Sequence, residues 1–325
     1  MKINLSHGNG GMETAKLIDE IFMPYFKNEY SKGMEDAVTL KTSGEIVFTT
    51  DSFVVNPIFF PGGDIGSLAV CGTVNDISTA GAVPKFLSIG FIIEEGFQTD
   101  NLHKIAKSVR DVADEAGVKI VTGDTKVIEG NGGIYINTAG IGEMKSSSVH
   151  ISDAKDGDLL IVSGDLGDHH ACILSSRMGI QNNIKSDVAP LNGLVQALIS
   201  ENINIRGMRD ITRGGLATVL CEISKSCGFR IEINEESLPV SKEVSGLSGI
   251  LGLDPLYMGN EGKMLFIIPN EEAENAINIL KSKKYGENAT VIGQISSGNG
   301  VVLRTKLGGK RILQPLMGEG LPRIC

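Results

Sequence analysis

Val118-Lys119-Ile120-Val121-Thr122-Gly123-Asp124-Thr125-Lys126 is the stretch that decides how the chain folds. An apolar run too short for a helix ends on glycine and a carboxylate, as a buried strand does when it delivers a side chain to the rim of a sheet. Just upstream, Asn101 to Ala116 has the spacing of an amphipathic helix, and Gly117 supplies its stop. The same alternation spreads outward. Glu13 to Lys27 is predicted as a helix with Leu17, Ile18, Ile21, Phe22 and Tyr25 on one face, and Gly66 to Ala80 as another. Strands are predicted over Glu45–Thr50, Phe86–Glu94 and Gly133–Met144. A polar break at Lys145-Ser146-Ser147-Ser148 precedes a second half. There strands at 158–163, 229–233 and 263–268 alternate with helices near 169–178, 191–200, 214–226 and 271–283, and short strands run on through Arg311. The pattern predicts an α/β (α+β) chain with domains at 1–147 and 148–312 and an exposed tail at 313–325.

Composition narrows the function. Glycine fills 41 of 325 positions with no collagen period, so it marks turns and ligand loops. A net charge of −9 argues against a nucleic-acid or anionic-membrane surface. No apolar run reaches the ~20 residues of a membrane span, and no signal-peptide core follows Met1. Five cysteines without a CxxC pair fit reduced thiols and a cytoplasmic chain. There is no P-loop, no GxGxxG after a strand and no HExxH. Adjacent His169 and His170 point apart and read as a helix-cap or loop pair rather than a metal site.

Four aspartates share Gly/Thr surroundings: Asp51 in Thr49-Thr50-Asp51-Ser52, Asp76 after Val74-Asn75, Asp124 after Thr122-Gly123, and Asp210 before Ile211-Thr212-Arg213-Gly214-Gly215. Any one of them alone reads as a turn or helix cap. Together they suit Mg²⁺, which takes hard oxygen ligands and shares them with phosphates. His7-Gly8-Asn9-Gly10-Gly11 reads as a mobile loop whose backbone could cradle phosphate, with Lys126 and Arg213 as cations to meet its charge. Glu261, in Gly259-Asn260-Glu261-Gly262-Lys263, is a turn glutamate that becomes a base only in a site. Cys325 is the last residue, outside any prenylation box, and a thiolate there is a nucleophile at the end of a tail.

These segments resemble the HypE hydrogenase-maturation family, within the superfamily of aminoimidazole ribonucleotide synthetase and selenophosphate synthetase. The aspartate motifs and Arg209–Gly215 carry the superfamily likeness. Gly123–Val127, Ala189-Pro190-Leu191-Asn192, Gly259–Gly262 and Leu321-Pro322-Arg323-Ile324-Cys325 carry the family likeness, and His170 departs from it where a glycine is expected. The resemblance implies a two-domain aminoimidazole ribonucleotide synthetase-like fold and a homodimer whose N-terminal halves pair into a barrel. It implies ATP near that interface, held by His7 to Gly11, Asn75, Thr125 and Arg213, with Mg²⁺ on Asp51, Asp76, Asp124 and Asp210. It further implies that the carbamoyltransferase HypF loads Cys325. ATP-dependent dehydration then gives a thiocyanate, whose cyanide passes to iron on a HypC–HypD complex. Lys126 and Glu261 are the expected groups for charge and proton transfer, and Asn192 for orienting the amide.

Two other readings compete. Another ATP-dependent member of the superfamily acting on a free small molecule would leave Cys325 without a role. A non-enzymatic thiol carrier or iron-assembly scaffold would leave the aspartates structural.

Overall fold

The computed structural model describes residues 2–8, 12–30, 37–145 and 148–316. In chain order the first half holds α1 (Met12–Leu17), α2 (Met23–Phe26), β1 (Ile46–Phe53), β2 (Phe59–Phe60), β3 (Gly63–Asp64), α3 (Ile65–Thr79), β4 (Val83–Glu94), α4 (Thr99–Ala116), β5 (Lys119–Ile128) and β6 (Ile134–Glu143). A π-helical turn, Ile18–Phe22, joins α1 to α2, so the predicted helix is one helical run with a π segment inside it. Its buried side chains, Leu17, Ile21 and Phe22, are three of the five expected.

Four of these strands form a sheet in the order β1-β6-β4-β5, with the helix α4 making the parallel crossover from β4 to β5. The helices α3 and α4 cover one face, with core residues Ile65, Leu68, Val74, Leu102, Ile105 and Val109 at most 3% exposed. The alternation of side chains leaves Ile46, Phe48, Ile92 and Ile128 on the other face, 41–64% exposed.

Neither Asp51 nor Asp124 ends its strand, contrary to the sequence reading. β1 continues to Phe53, whose ring packs where a Cβ on Gly72 of α3 would sit, within 2.8 Å. β5 runs through Gly123 because that glycine marks a close approach, not a turn: a Cβ there would lie 2.6 Å from the Ile89 carbonyl oxygen.

The second half holds β7 (Leu159–Val162), α5 (Asp168–Met178), α6 (Asn192–Ser200), β8 (Gly207–Asp210), α7 (Gly215–Cys227), β9 (Arg230–Asn234), α8 (Lys242–Leu251), β10 (Met264–Ile268), α9 (Ala273–Lys281), β11 (Thr290–Ser296), β12 (Val301–Arg304) and β13 (Lys310–Leu313). Its seven-stranded sheet has the order β13-β12-β9-β11-β7-β10-β8. Every residue of β10 is buried, because the sheet is covered on both sides. Leu265 and Ile267 join α7's Leu216, Leu220 and Ile223 on one face. Met264, Phe266 and Ile268 join Leu194, Leu198 and Leu280 of α6 and α9 on the other. The strand β8 and the helix α8, which the sequence reading passed over, complete this half. No described helix is long and apolar enough to cross a membrane.

Candidate active site

Three aspartates arrive from three elements. Thr49 and Asp51 alternate onto the covered face of β1, where Thr49 Oγ1 donates to Asp76 Oδ2 of α3 at 3.0 Å. Asp210 ends β8, which packs against α3. Just beyond it, the Ile211 carbonyl accepts both the backbone N–H and the Nδ2 of Asn260, each at 3.0 Å. Asn260 is 0% exposed, and its Oδ1 accepts the Gly167 N–H at 2.7 Å. This one amide therefore ties the β7–α5 loop to the turn that presents Glu261.

These carboxyls act on one another electrostatically. Burial and then the Asp210 charge push Asp76 up to about 6, with Asp51 adding to the rise. Burial also raises Asp210, against the pull of Arg209. Glu261 keeps part of its surface open, but its carboxyl sits deep. Burial drives it well above the usual carboxylate range, helped by Asp187, Asp210 and Asp51 and opposed by the exposed Arg213. Acidic groups coupled in this way make a place where positive charge would be strongly favoured. Among the described residues, no three Asp, Glu, His or Cys side chains stand close enough to hold a metal ion alone. The donor set is hard oxygen throughout, which fits Mg²⁺ sharing one or two carboxylates with phosphate oxygens.

Asp124 is not part of this cluster within one chain, which corrects the expectation of four converging aspartates. The register places it in a row with Gly90, Asn137 and Ser52, on the face opposite Asp51. There it pairs with Lys126 at 3.0 Å, both side chains more than 60% exposed. Gly8 lies along the same strand, with a Cβ position 2.7 Å from the Val127 nitrogen, so the N-terminal segment runs beside Lys126. His7 is buried, its Nδ1 2.7 Å from Asn4 Oδ1. Asn9, Gly10, Gly11 and Cys325 lie outside the described residues. A cavity of about 520 Å³ flanks β5, with Phe22, Phe26, Tyr30, Phe91, Asp124 and Thr125 among its lining residues.

Two expected site amides are committed to scaffolding. Asn75 is 3% exposed; it donates to the Ala189 carbonyl at 3.0 Å and accepts the Leu191 N–H at 2.7 Å. Asn192 opens α6 and donates to the Ala116 carbonyl at the end of α4, at 2.8 Å. Both join the two halves. His169 and His170 occupy the first turn of α5, where burial lowers each to about 4. His169 Nδ1 bonds Ser186 Oγ at 2.8 Å.

The sequence reading missed Asp187. Its side chain is 3% exposed, its Oδ1 accepts the Glu261 N–H at 3.0 Å, and its Oδ2 lies 3.3 Å from Lys263 Nζ. It stands in a stretch without periodicity, and the available signal was its place just before Ala189-Pro190-Leu191-Asn192.

Residues 34–144 match the family described as AIR synthase related protein, N-terminal domain, and residues 155–306 match its C-terminal domain. The carbamoyl dehydratase HypE of Escherichia coli K12 is 41% identical over 99% of this chain and 99% of its own. A crystal structure of hydrogenase maturation protein HypE in complex with ATP superposes with a TM-score of 0.95, at 44% identity and 99% coverage of both chains. A HypE–HypF complex structure gives a TM-score of 0.81 at 49% identity, covering 92% of this chain and 99% of that one. With this fold, this carboxylate cluster and likeness along almost its entire length, the chain belongs to the HypE carbamoyl dehydratase family of AIR synthase related proteins.

Proposed function

We propose that this chain is an ATP-dependent carbamoyl dehydratase acting on the thiol of its own Cys325. It converts an S-carbamoyl group to a thiocyanate, the source of the cyanide ligand in hydrogenase maturation. The observation that carries the proposal is the group of carboxyls in which Asp51 and Asp210 raise both Asp76 and Glu261, built in a chain so similar to a HypE that binds ATP.

The thiocarbamate oxygen is a poor leaving group as hydroxide or water. Attack of that oxygen on the γ-phosphorus of ATP forms an O–P bond and releases ADP. The nitrogen then gives up its protons as the C–O bond breaks, phosphate leaves, and S–C≡N remains. Glu261 accepts a proton from the nitrogen; burial and the neighbouring Asp187, Asp210 and Asp51 hold its carboxyl well above the usual range, and cationic charge with Arg213 would bring it down to the ionised form that a base needs. Lys126 meets the charge on the transferring phosphoryl group. Mg²⁺ taking one or two carboxylates from among Asp51, Asp76 and Asp210, with phosphate oxygens completing its shell, would neutralise phosphate charge. Thr125, which lines the aromatic cavity, and the His7–Gly11 segment are assigned to the nucleotide, whose base suits those ring walls.

The tail connects the thiol to this centre. Tyr257 Oη donates to the Gln314 carbonyl at 3.0 Å, and the Leu316 N–H donates to Thr218 Oγ1 at 3.2 Å, in the first turns of the helix that follows Arg213. Residues 317–325 span at most roughly 30 Å from that anchor when extended. On this proposal, one thiol at the end of that segment serves both a loading partner and the dehydration site. HypF is the loading partner, on the likeness to the HypE–HypF complex, and iron on HypC–HypD is the acceptor of the cyanide. The exposed apolar face of the four-stranded sheet is where two copies would pair, which brings Asp124 and Lys126 to the interface. Free Cys71, Cys172, Cys221 and Cys227 fit a reducing cytoplasm. The test is loading by HypF followed by ATP: a Cys325→Ala chain should bind ATP yet accept no carbamoyl group, and loading on another cysteine would refute the assignment.

A further inference from the structure

We propose that Asp187, with Lys263 as its counter-ion, is the positioning residue that aims the Glu261 carboxyl at the reacting nitrogen; the inference rests on Glu261 as the base. One buried carboxylate grips the turn on both sides of Glu261. Its Oδ1 takes the Glu261 N–H at 3.0 Å, and its Oδ2 lies 3.3 Å from the ammonium of Lys263, two residues on. Between them, Gly262 presses so closely on this segment that a Cβ would fall 1.8 Å from the Asp187 carbonyl oxygen. The Ala189 N–H returns a bond to the Glu261 carbonyl at 3.4 Å. The turn therefore lies against residues 187–189 like a second strand, and the backbone that presents Glu261 has little freedom to move.

Asp187 is itself held from the other half of the molecule. The Ser186 N–H donates to the Pro61 carbonyl at 2.8 Å, and Ser186 Oγ meets His169 Nδ1 at 2.8 Å and accepts the Val188 N–H at 3.1 Å. Asn75, next to Asp76 in α3, fixes Ala189 and Leu191. Through this strap the helix carrying Asp76 and the turn carrying Glu261 are referred to one backbone segment. Lys263 is only 12% exposed at its side chain, so the pair sits in a weakly screened setting and keeps a defined geometry. A glutamate on a solvated turn would sample many rotamers, whereas proton transfer requires reach to within hydrogen-bond distance of one nitrogen.

The test uses full-length chain loaded by HypF, with Mg²⁺ and ATP, following water loss from the C-terminal peptide in a single turnover. Asp187→Asn keeps an oxygen for the Glu261 N–H and loses the charge pair. It should load normally and keep its ATP KM within about twofold, while dehydration slows roughly tenfold to a hundredfold, as misplacement of a reacting group does. In a Glu261→Gln background the same change should slow dehydration no further, because Asp187 acts through Glu261. A wild-type rate in Asp187→Asn, or losses that multiply in the double variant, overturns the inference. A wild-type rate in Glu261→Gln overturns the reading beneath it as well. Should Asp187→Asn fail to fold, Lys263→Gln carries the same comparison with the same expected and overturning results.

Discussion

Thr49 of β1 donates to the carboxylate of Asp76 on α3 at 3.0 Å, across the seam where the sheet meets its covering helix. That bond, with the charge of Arg209, supports the ionised form of an acid that burial, Asp210 and Asp51 oppose. Asp76 is held near 6, above its unfolded value of 3.8, so the native state binds the proton more tightly. Its favourable contribution is complete below about pH 4 and is lost as the pH rises through 6.

Asp76→Asn should therefore stabilise the chain at pH 8, without nucleotide or Mg²⁺, by on the order of 1–3 kcal/mol, with the difference vanishing near pH 4. Thermal unfolding across that range checks it. The same variant should fail to turn over ATP when carbamoylated. Equal stability with wild type at pH 8 would contradict the electrostatic account of the site.

Asp124 and Lys126 make the opposite case. Their pair is exposed, so Asp124→Asn and Lys126→Ala should change unfolding free energy by less than about 1 kcal/mol. Both should still accept the carbamoyl group, yet stall before dehydration. Wild-type dehydration in Lys126→Ala would remove it from the mechanism.

Asn75→Ala should behave as a scaffold variant. It orphans the Ala189 carbonyl and the Leu191 N–H in a buried seam, at a cost of roughly 2–4 kcal/mol. Chemical denaturation would register this as a lower midpoint. A fully stable variant with weakened ATP binding would return Asn75 to the nucleotide.

Gly262→Ala places a methyl 1.8 Å from the Asp187 carbonyl oxygen, so the turn must move and carry Glu261 with it. Loading by HypF should survive while the dehydration rate falls at least about tenfold. A rate equal to wild type would show that the turn's exact seat does not matter.

The alternating helices and strands were legible because their cores follow simple periods. Leu68, Val74 and Ile77 recur at helical spacing in α3, and β10 is an unbroken apolar run. Strand ends were not legible at Asp51 and Asp124. Glycine and threonine read as turn signals, yet Gly123 is there because Ile89's carbonyl leaves no room for a side chain. Motif reading singled out Asp51, Asp76, Asp210 and Glu261, and Asp51 and Asp210 act on the carboxyls of both Asp76 and Glu261. It also gathered Asp124, whose strand parity turns it to the other face, and Asn75, whose amide is spent on Ala189 and Leu191. Such assignments depend on register and partners, which a single chain's pattern does not encode. Asp187 escaped because its role comes from tertiary contacts with Glu261 and Lys263, residues far along the sequence.

Mass spectrometry of the C-terminal peptide tests the central claim most directly. Chain loaded by HypF and then given Mg²⁺ and ATP should show the Cys325 peptide lighter by one water, with one ATP consumed per thiocyanate formed. A carbamoylated peptide that keeps its mass while ATP is present would contradict the dehydratase account.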